Sequence, residues 1–279
     1  DKLISVAGTK PITGSSNLSF QKAEQLANNR GTGWHISTIQ AESANQMLEI
    51  IEFGSFNGQA SLGKGVCNIT NGNNNSAAIT GATASLGNTS GVAASTTIED
   101  GGVVSTTSDL DKSSISYRGL ENPWGNVWQM INGILIVGNS TMNGGVPYIC
   151  TNGIYSYSNI TSNYTSAGFS LPNNSGWISA LGYGGKTYDW LLMPAEATNA
   201  TSALPIGDNG WFDMNLNGIR MVLLGGGWIF DDSDGPFYYA CDKQPTDSSY
   251  KSYGARLLYI PTKNNTYLTN IAKWQAKRS

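Results

Sequence analysis

Past Ala60 this chain loses helical periodicity, and that limits what it can fold into. From Ile115 onward the apolar residues come in short aromatic or β-branched runs separated by Gly, Asn and Pro. Examples are Val127-Trp128-Gln129-Met130-Ile131, Gly176-Trp177-Ile178-Ser179-Ala180, Tyr188-Asp189-Trp190-Leu191-Leu192-Met193, Arg220-Met221-Val222-Leu223-Leu224 and Arg256-Leu257-Leu258-Tyr259-Ile260. Such runs read as short strands joined by long loops. Helical spacing is confined to the start. Phe20, Ala23 and Ala27 share one face of a helical segment, and a turn follows at Gly31-Thr32-Gly33. Trp34-His35-Ile36 reads as extended. Ser37-x-x-Gln40 reads as a capping box opening a second helix to about Phe53. Ile39, Met47, Leu48, Ile50 and Ile51 are that helix's apolar residues, and Gly54 is its stop. Two early helices followed by many short antiparallel strands predict an α+β fold.

The 279 residues carry no internal repeat and no sharp composition break. We read residues 1–16 as an N-terminal extension, 17–262 as one domain and 263–279 as a tail. Within the domain, residues 70–112 read as an irregular insertion, with a loop at Gly72–Ser76 and small polar residues over 76–100. In the tail, Asn270–Gln275 reads as a short helix or a frayed end.

Hydrophobic residues make up 39% of the chain, with 8 Trp, 13 Tyr and 7 Phe, enough to fill a core and exclude disorder. Charged residues are only 13%, about half the usual ~25%, so neutral polar groups carry solubility. A net charge of -3 lacks the basic footprint of a nucleic-acid binder, so none is expected as a partner. The apolar run Ile134-Leu135-Ile136-Val137 is far too short for membrane insertion. The chain opens at Asp1 without Met or a signal-peptide pattern, which reads as a processed or excised piece. Cys67, Cys150 and Cys241 show no CxxC spacing, which argues against zinc, and their odd number leaves room for one pair at most. Asn-x-Ser/Thr triplets start at Asn17, Asn68, Asn74, Asn88, Asn139, Asn159, Asn163, Asn173, Asn199 and Asn264. We read them as chance in a chain rich in these residues.

One stretch departs from the strand pattern. Gly225-Gly226-Gly227-Trp228 and Gly254-Ala255-Arg256 bracket a segment with almost no hydrophobic period. It is crowded with tyrosines, carboxylates and small polar residues, the mixture a binding surface uses. The contact candidates there are Ile229, Phe230, Asp231, Asp232, Ser233, Tyr238, Tyr239, Asp242, Lys243, Gln244, Tyr250 and Lys251. Alternation along a strand would bury some of them. Aromatic faces could stack on sugar rings or pack on protein, with carboxylates and amides orienting hydroxyls.

The order of these pieces resembles the C-type lectin fold in its formylglycine-generating-enzyme-like form. The matching parts are Ala23…Ala27, Gly33–Thr38 running into the second helix with Glu42, Arg220–Trp228 and Gly254-Ala255-Arg256. More specifically, the chain is similar to phage tail and minor structural proteins of this fold. That likeness rests on Ile51–Gln59, Tyr117–Trp128, Gly144–Tyr148, Leu204–Asp208 and Gly254–Tyr259, and it runs from about residue 17 to 261. The Arg118–Trp128 block is its most specific part.

The resemblance implies a virion appendage whose variable loops bind a bacterial surface receptor, glycan or protein, beside other virion proteins. It admits a homotrimer, the way fibre proteins commonly assemble. A bacterial or prophage-encoded surface adhesin, and a purely structural virion protein, are the alternatives. Some relatives are diversified by retroelements that mutate template adenines in Asn-type codons. Most of Ile229–Tyr253 fits the residues such codons yield, but Lys243, Gln244 and Lys251 do not.

Catalysis is not expected. The oxidase that the fold resembles needs a close cysteine pair near the C-terminus, and only Cys241 lies there. His35 is the single histidine, so three-histidine and two-histidine-one-carboxylate metal sites are excluded. No GxSxG elbow is present, and His35 reads as a hydrogen-bonded structural residue. No cofactor is expected, although Asp231, Asp232, Asp234 and Asp242 are oxygen-rich enough to admit a structural Ca²⁺. Glu121-Asn122-Pro123 superficially resembles a sugar-binding triplet but lies in the signature block and reads as framework. Trp124, Trp128, Trp177, Trp190 and Trp211 read mainly as core, and Trp228 as framework. Arg118, Arg220 and Arg256 read as anchors for backbone carbonyls or for carboxylates such as Glu121 or Asp189.

Overall fold

The computed structural model describes residues 1–14, 17–69, 76–138, 144–200, 203–212, 217–247 and 250–261. The Asn74, Asn139 and Asn264 triplets begin outside those residues, as do nearly all of the 72–76 loop and the whole 263–279 tail. The described chain is mixed α/β, mostly strand, with a curled half-barrel sheet and few helices.

The helix α1 (Phe20–Asn28) is capped by Ser19, whose hydroxyl accepts from the Lys22 amide. Trp34–Ile36 is a strand, as expected, and α2 spans Ile39–Phe53. The cap of α2 is one residue later than the sequence suggests. Thr38 accepts from the Ala41 amide, while Ser37 Oγ bonds to Glu42 Oε1 inside the fold. Gly54 ends α2 in the left-handed conformation at φ 62°.

Nine strands form the main sheet. Its order is Tyr164–Ser166, Val146–Cys150, Trp128–Gly138, Gly218–Leu224, Tyr239–Ala240, Asn209–Trp211, Gly176–Leu181 and Pro194–Thr198, with Tyr253–Gly254 added beside Trp128. All pairs are antiparallel except Gly210 with Tyr239 and Tyr253 with Trp128. The Trp128–Gly138 strand explains the continuous apolar run. Trp128, Met130 and Leu135 face one core, while Ile131, Ile134 and Ile136 face another. The switch of faces falls at Asn132-Gly133, where Gly133 has φ 76° and the register with Gly218–Leu224 shifts. Phe20, Ala23, Leu26 and Ala27 of α1 close the first core, and Ile39 with Ile50 of α2 lies on the second.

Three expectations need correction. The N-terminal stretch is built into the domain: Leu3 donates to Leu26 O at 2.8 Å, and Gly8 donates to Thr80 O at 2.9 Å. Within 76–112 the chain is partly regular. Thr96–Asp100 and Val103–Thr107 pair their β-branched residues across a tight Gly101-Gly102 turn, and Ala77–Ala78 adds a third strand beside Ile98 and Glu99. The helix α2 turns its polar side inward. Glu42, Ser43, Gln46 and Glu49 are buried, whereas Leu48 is exposed and Ile51 is 79% exposed. Apolar spacing fails here because the buried face is mixed: Ile39 and Ile50 meet the core, while Gln46 reaches Pro236 O and Glu42 bonds to Ser37. All three cysteines are buried and unpaired. Among the described residues no helix is long and apolar enough to cross a membrane.

Burial pushes the Glu49 carboxyl up to about 8, with repulsion from Glu42 and Glu52 adding to it. The fold therefore favours protonated Glu49. That contribution is complete below the unfolded value and is lost as pH rises through the folded one. Thermal stability is expected to fall between about pH 5 and 8, and Glu49→Gln should make that slope shallower and raise the melting temperature at the alkaline end. Melts across this range check it, and an unchanged slope would contradict it.

Candidate functional site

The bracketed segment crosses the main sheet rather than standing above it. Gly218–Leu224 ends in a turn at Gly225 and Gly226, with φ 94° and 80°. Only glycine fits at 226, where a Cβ would lie 1.7 Å from Asp234 Oδ1. Trp228 is then buried, and its carbonyl accepts from the Ile69 amide at 2.7 Å. The chain makes a short 3₁₀ turn at Asp231–Ser233 and re-enters the sheet as Tyr239–Ala240. It leaves again after Cys241 and returns as Tyr253–Gly254.

Tyr238 and Tyr239, expected as contact residues, are therefore core. Tyr239 is 0% exposed because its strand is paired on both edges, with Leu224 and with Gly210. Gln46 Nε2 donates to Tyr239 Oη at 3.0 Å and to Pro236 O at 2.6 Å, and Tyr239 Oη donates to Leu192 O at 3.0 Å. Tyr238 packs on Trp128, with ring centroids 4.6 Å apart, and its hydroxyl accepts from Trp211 Nε1 at 2.6 Å.

Two buried carboxylates pin the irregular backbone between the strands. Asp208 Oδ2 accepts from the Phe237 amide at 2.7 Å, and Asp234 Oδ1 accepts from the Gly227 amide at 3.2 Å. Burial raises both carboxyls well above the usual range, against the opposing effect of those amides.

The other candidates lie on two loops outside the sheet. On the first, Ile229 is 52% exposed and Asp232 is exposed, while Phe230, Asp231 and Ser233 are half-buried. Asp231 holds φ 47°. This loop is braced: Lys64 Nζ lies 3.2 Å from Asp231 and 2.7 Å from Asp232, and Gln59 donates to Asp231 O at 2.8 Å. On the second loop, Gln244 is exposed, Tyr250 is 44% exposed, and Asp242, Lys243 and Lys251 are half-buried. Lys243 Nζ sits 2.6 Å from Asp242 and 5.3 Å from the Tyr250 ring centroid. One aromatic chain links the loops. Phe230 meets Trp128 edge-on at 5.5 Å, Trp128 is in register with Tyr253, and Tyr253 stacks on Tyr250 at 4.8 Å.

The four aspartates considered for calcium do not converge. Asp231 and Asp232 face Lys64, Asp242 faces Lys243, and Asp234 is buried against Gly227. Among the described residues no three His, Cys, Asp or Glu side chains are grouped to hold a metal. Glu121 is occupied by framework contacts, accepting from the Gly81 and Thr83 amides and the Thr83 hydroxyl. Arg256 donates to the carbonyls of Glu121 and Asn122 at 2.7 and 3.0 Å, and Arg220 to those of Ile219 and Asn217 at 3.0 Å. Arg118 instead pairs with Glu52 at 2.7 Å. His35 Nδ1 lies 2.6 Å from Glu24 Oε1. Trp124, Trp128 and Trp228 are buried, Trp177 and Trp190 half-buried, and Trp211, expected in the core, stands at the surface over Tyr238.

Sequence reasoning missed a groove beside the second loop. Pro245 and Thr246 line one part of it, and the stretches 17–21 and 154–163 line the rest, around a cavity of about 590 Å³. Its signal was the density of Asn, Ser, Thr and Tyr over 152–166, which carries the Asn159 and Asn163 triplets.

Truncating a pinned tyrosine should differ sharply from truncating a loop residue. Tyr239→Phe removes one hydrogen bond from Gln46 and one from Leu192 O and should cost about 1–3 kcal/mol. Tyr238→Ser empties a packed aromatic site and should cost roughly 3–5 kcal/mol. Ile229→Ser and Tyr250→Ser should each stay within about 0.5 kcal/mol of the parent. Denaturant titration measures all four, and equal losses would contradict this division. No protein-family model matches this chain, and no curated protein matches it either.

Proposed function

We propose that this chain is a non-enzymatic receptor-binding domain of a phage tail or other virion appendage, with a C-type-lectin-like scaffold displaying the 229–233 and 242–251 loops to a bacterial surface ligand. The observation that carries the reading is the division within one segment. Its middle, Phe237–Cys241, is locked into the sheet, while both flanks project from one aromatic ridge with Ile229, Asp232, Gln244 and Tyr250 in solvent. A rigid base under side chains of mixed polarity suits a surface whose contacts vary while its frame does not.

The groups on the loops favour contact over chemistry. Their carboxylates are paired, Asp231 and Asp232 sharing Lys64 on one loop and Asp242 meeting Lys243 on the other. The thiols of Cys67 and Cys241 are pushed up by burial, which disfavours the reactive thiolate. Weak single-site affinity would be raised by several copies on one particle, as a homotrimer among other virion proteins would provide. Retroelement diversification belongs to the same reading, and a near-copy of this DNA differing only at template adenines would accompany the gene.

Adsorption to intact bacterial cells tests it. The protein should bind a subset of a strain panel. A variant carrying Ile229→Ser, Gln244→Ala and Tyr250→Ser should remain folded and lose binding by at least about tenfold. Equal binding by both would remove these loops from the site. No binding by either, even when multimerised, would favour a structural virion role.

A further inference from the structure

We infer that the groove between the start of α1, the 154–163 loop and Pro245-Thr246 is a metal-independent binding site for a neutral saccharide chain. This stands on the groove alone and holds whether or not the 229–251 loops bind a receptor.

The lining sets the ligand class. It consists of amides, hydroxyls, tyrosines, one proline and one exposed aliphatic side chain, Ile154. Among the described residues no Lys, Arg, His, Asp or Glu lines this cavity, so a phosphate, carboxylate or ammonium ligand would find no counter-charge from them. Nor is the lining apolar enough for a lipid chain or a hydrophobic helix, which would leave its amides unpaired. A polyhydroxyl ligand meets both conditions. Each sugar hydroxyl both donates and accepts, and amide and hydroxyl side chains answer in both senses. The apolar faces of sugar rings are matched by Ile154, Tyr155 and Tyr157.

Size and rigidity agree with this. At about 590 Å³ the cavity lies within the range of small-molecule sites. It continues past Tyr157 into a second stretch of about 460 Å³ along α1, where Gln25, Asn28 and Asn29 extend the polar wall and Lys22 and Glu24 bring in the first charges. A chain of several sugars could follow this path, which a compact metabolite would leave half empty. The walls are preformed. Tyr157 stands edge-on to Phe20 at 5.2 Å, and Tyr155 edge-on to His35 at 5.4 Å. The loop is tied by Asn152 to Asn163 at 2.8 Å, by Ser156 to Asn159 at 2.8 Å, and by the Tyr164 hydroxyl, which accepts from the Ser156 amide at 3.0 Å. Little ordering remains to oppose binding. Burial raises the Tyr155 and Tyr157 phenols, so both remain neutral hydroxyls.

A glycan array carrying neutral, sialylated and sulfated oligosaccharides, followed by calorimetry on the best neutral hit, tests this. Three proteins are compared: the parent, a groove variant with Gln21→Ala and Ile154→Ala, and a loop variant with Ile229→Ser and Tyr250→Ser. All the substituted positions are exposed, so the folds should persist. Ser158→Trp, which fills the groove from an exposed position, provides a second, independent block. The expected result is a neutral glycan bound by the parent and the loop variant alike, unaffected by a chelator and nearly unaffected by salt. The groove variant should weaken it at least about tenfold, and Ser158→Trp should abolish it. Binding of acidic glycans only, no neutral glycan bound, or neutral binding that survives both groove changes would overturn the proposal. Loss in the loop variant with retention in the groove variant would overturn it too, while leaving the loop reading intact.

Discussion

The fold depends on burying two stretches of largely irregular backbone, residues 225–228 and 234–241, against and within a sheet. Backbone amides and carbonyls removed from water need partners, and a segment that is only briefly strand cannot supply them all itself. Two side chains from elsewhere and one of its own do so. Gln46 reaches Pro236 O and Tyr239, Asp208 takes the Phe237 amide, and the segment's own Asp234 takes the Gly227 amide. Gln46 and Asp208 are remote from it in sequence, so the segment is positioned only when those parts of the domain are assembled around it.

That demand explains the inverted second helix. A helix over a hydrocarbon layer buries its aliphatic stripe. This one meets the core with Ile39 and Ile50 but also sends Gln46 to Pro236 O, and it buries Glu42 and Glu49 while leaving Ile51 in solvent. Among the described residues Glu49 Oε2, Asp208 Oδ1 and Asp234 Oδ2 have no hydrogen-bond partner, and burial raises all three carboxyls. Burial thus favours the protonated form of these interior acids, which couples the stability of the fold to pH.

The same arrangement separates frame from surface. Where the segment is paired or pinned it has no freedom to vary. Its flanks, 229–233 and 242–251, hang on the Phe230, Trp128, Tyr253 and Tyr250 rings and face outward. The second flank also brings Pro245 and Thr246 to a groove whose other walls come from residues 17–21 and 154–163. Potential contact surfaces therefore lie on both sides of one loop, built from different chemistry: rings and balanced charges on one, neutral amides and hydroxyls on the other.

Local physics made several elements legible in the sequence alone. The α1 stripe, the Trp34–Ile36 strand, the Gly54 stop and the carbonyl-anchoring roles of Arg220 and Arg256 follow from spacing, glycine geometry and the scarcity of charge. The α+β class followed from the loss of helical period after Ala60. Tertiary structure alone decided the rest. Which tyrosines of the 229–253 segment are buried depends on Tyr239–Ala240 entering between Gly218–Leu224 and Asn209–Trp211, a pairing across distant residues that no local pattern encodes. The inward polar face of α2 depends on what lies beneath it. The groove exists only where three remote stretches meet, and a sequence period reports neighbours along the chain, not across it.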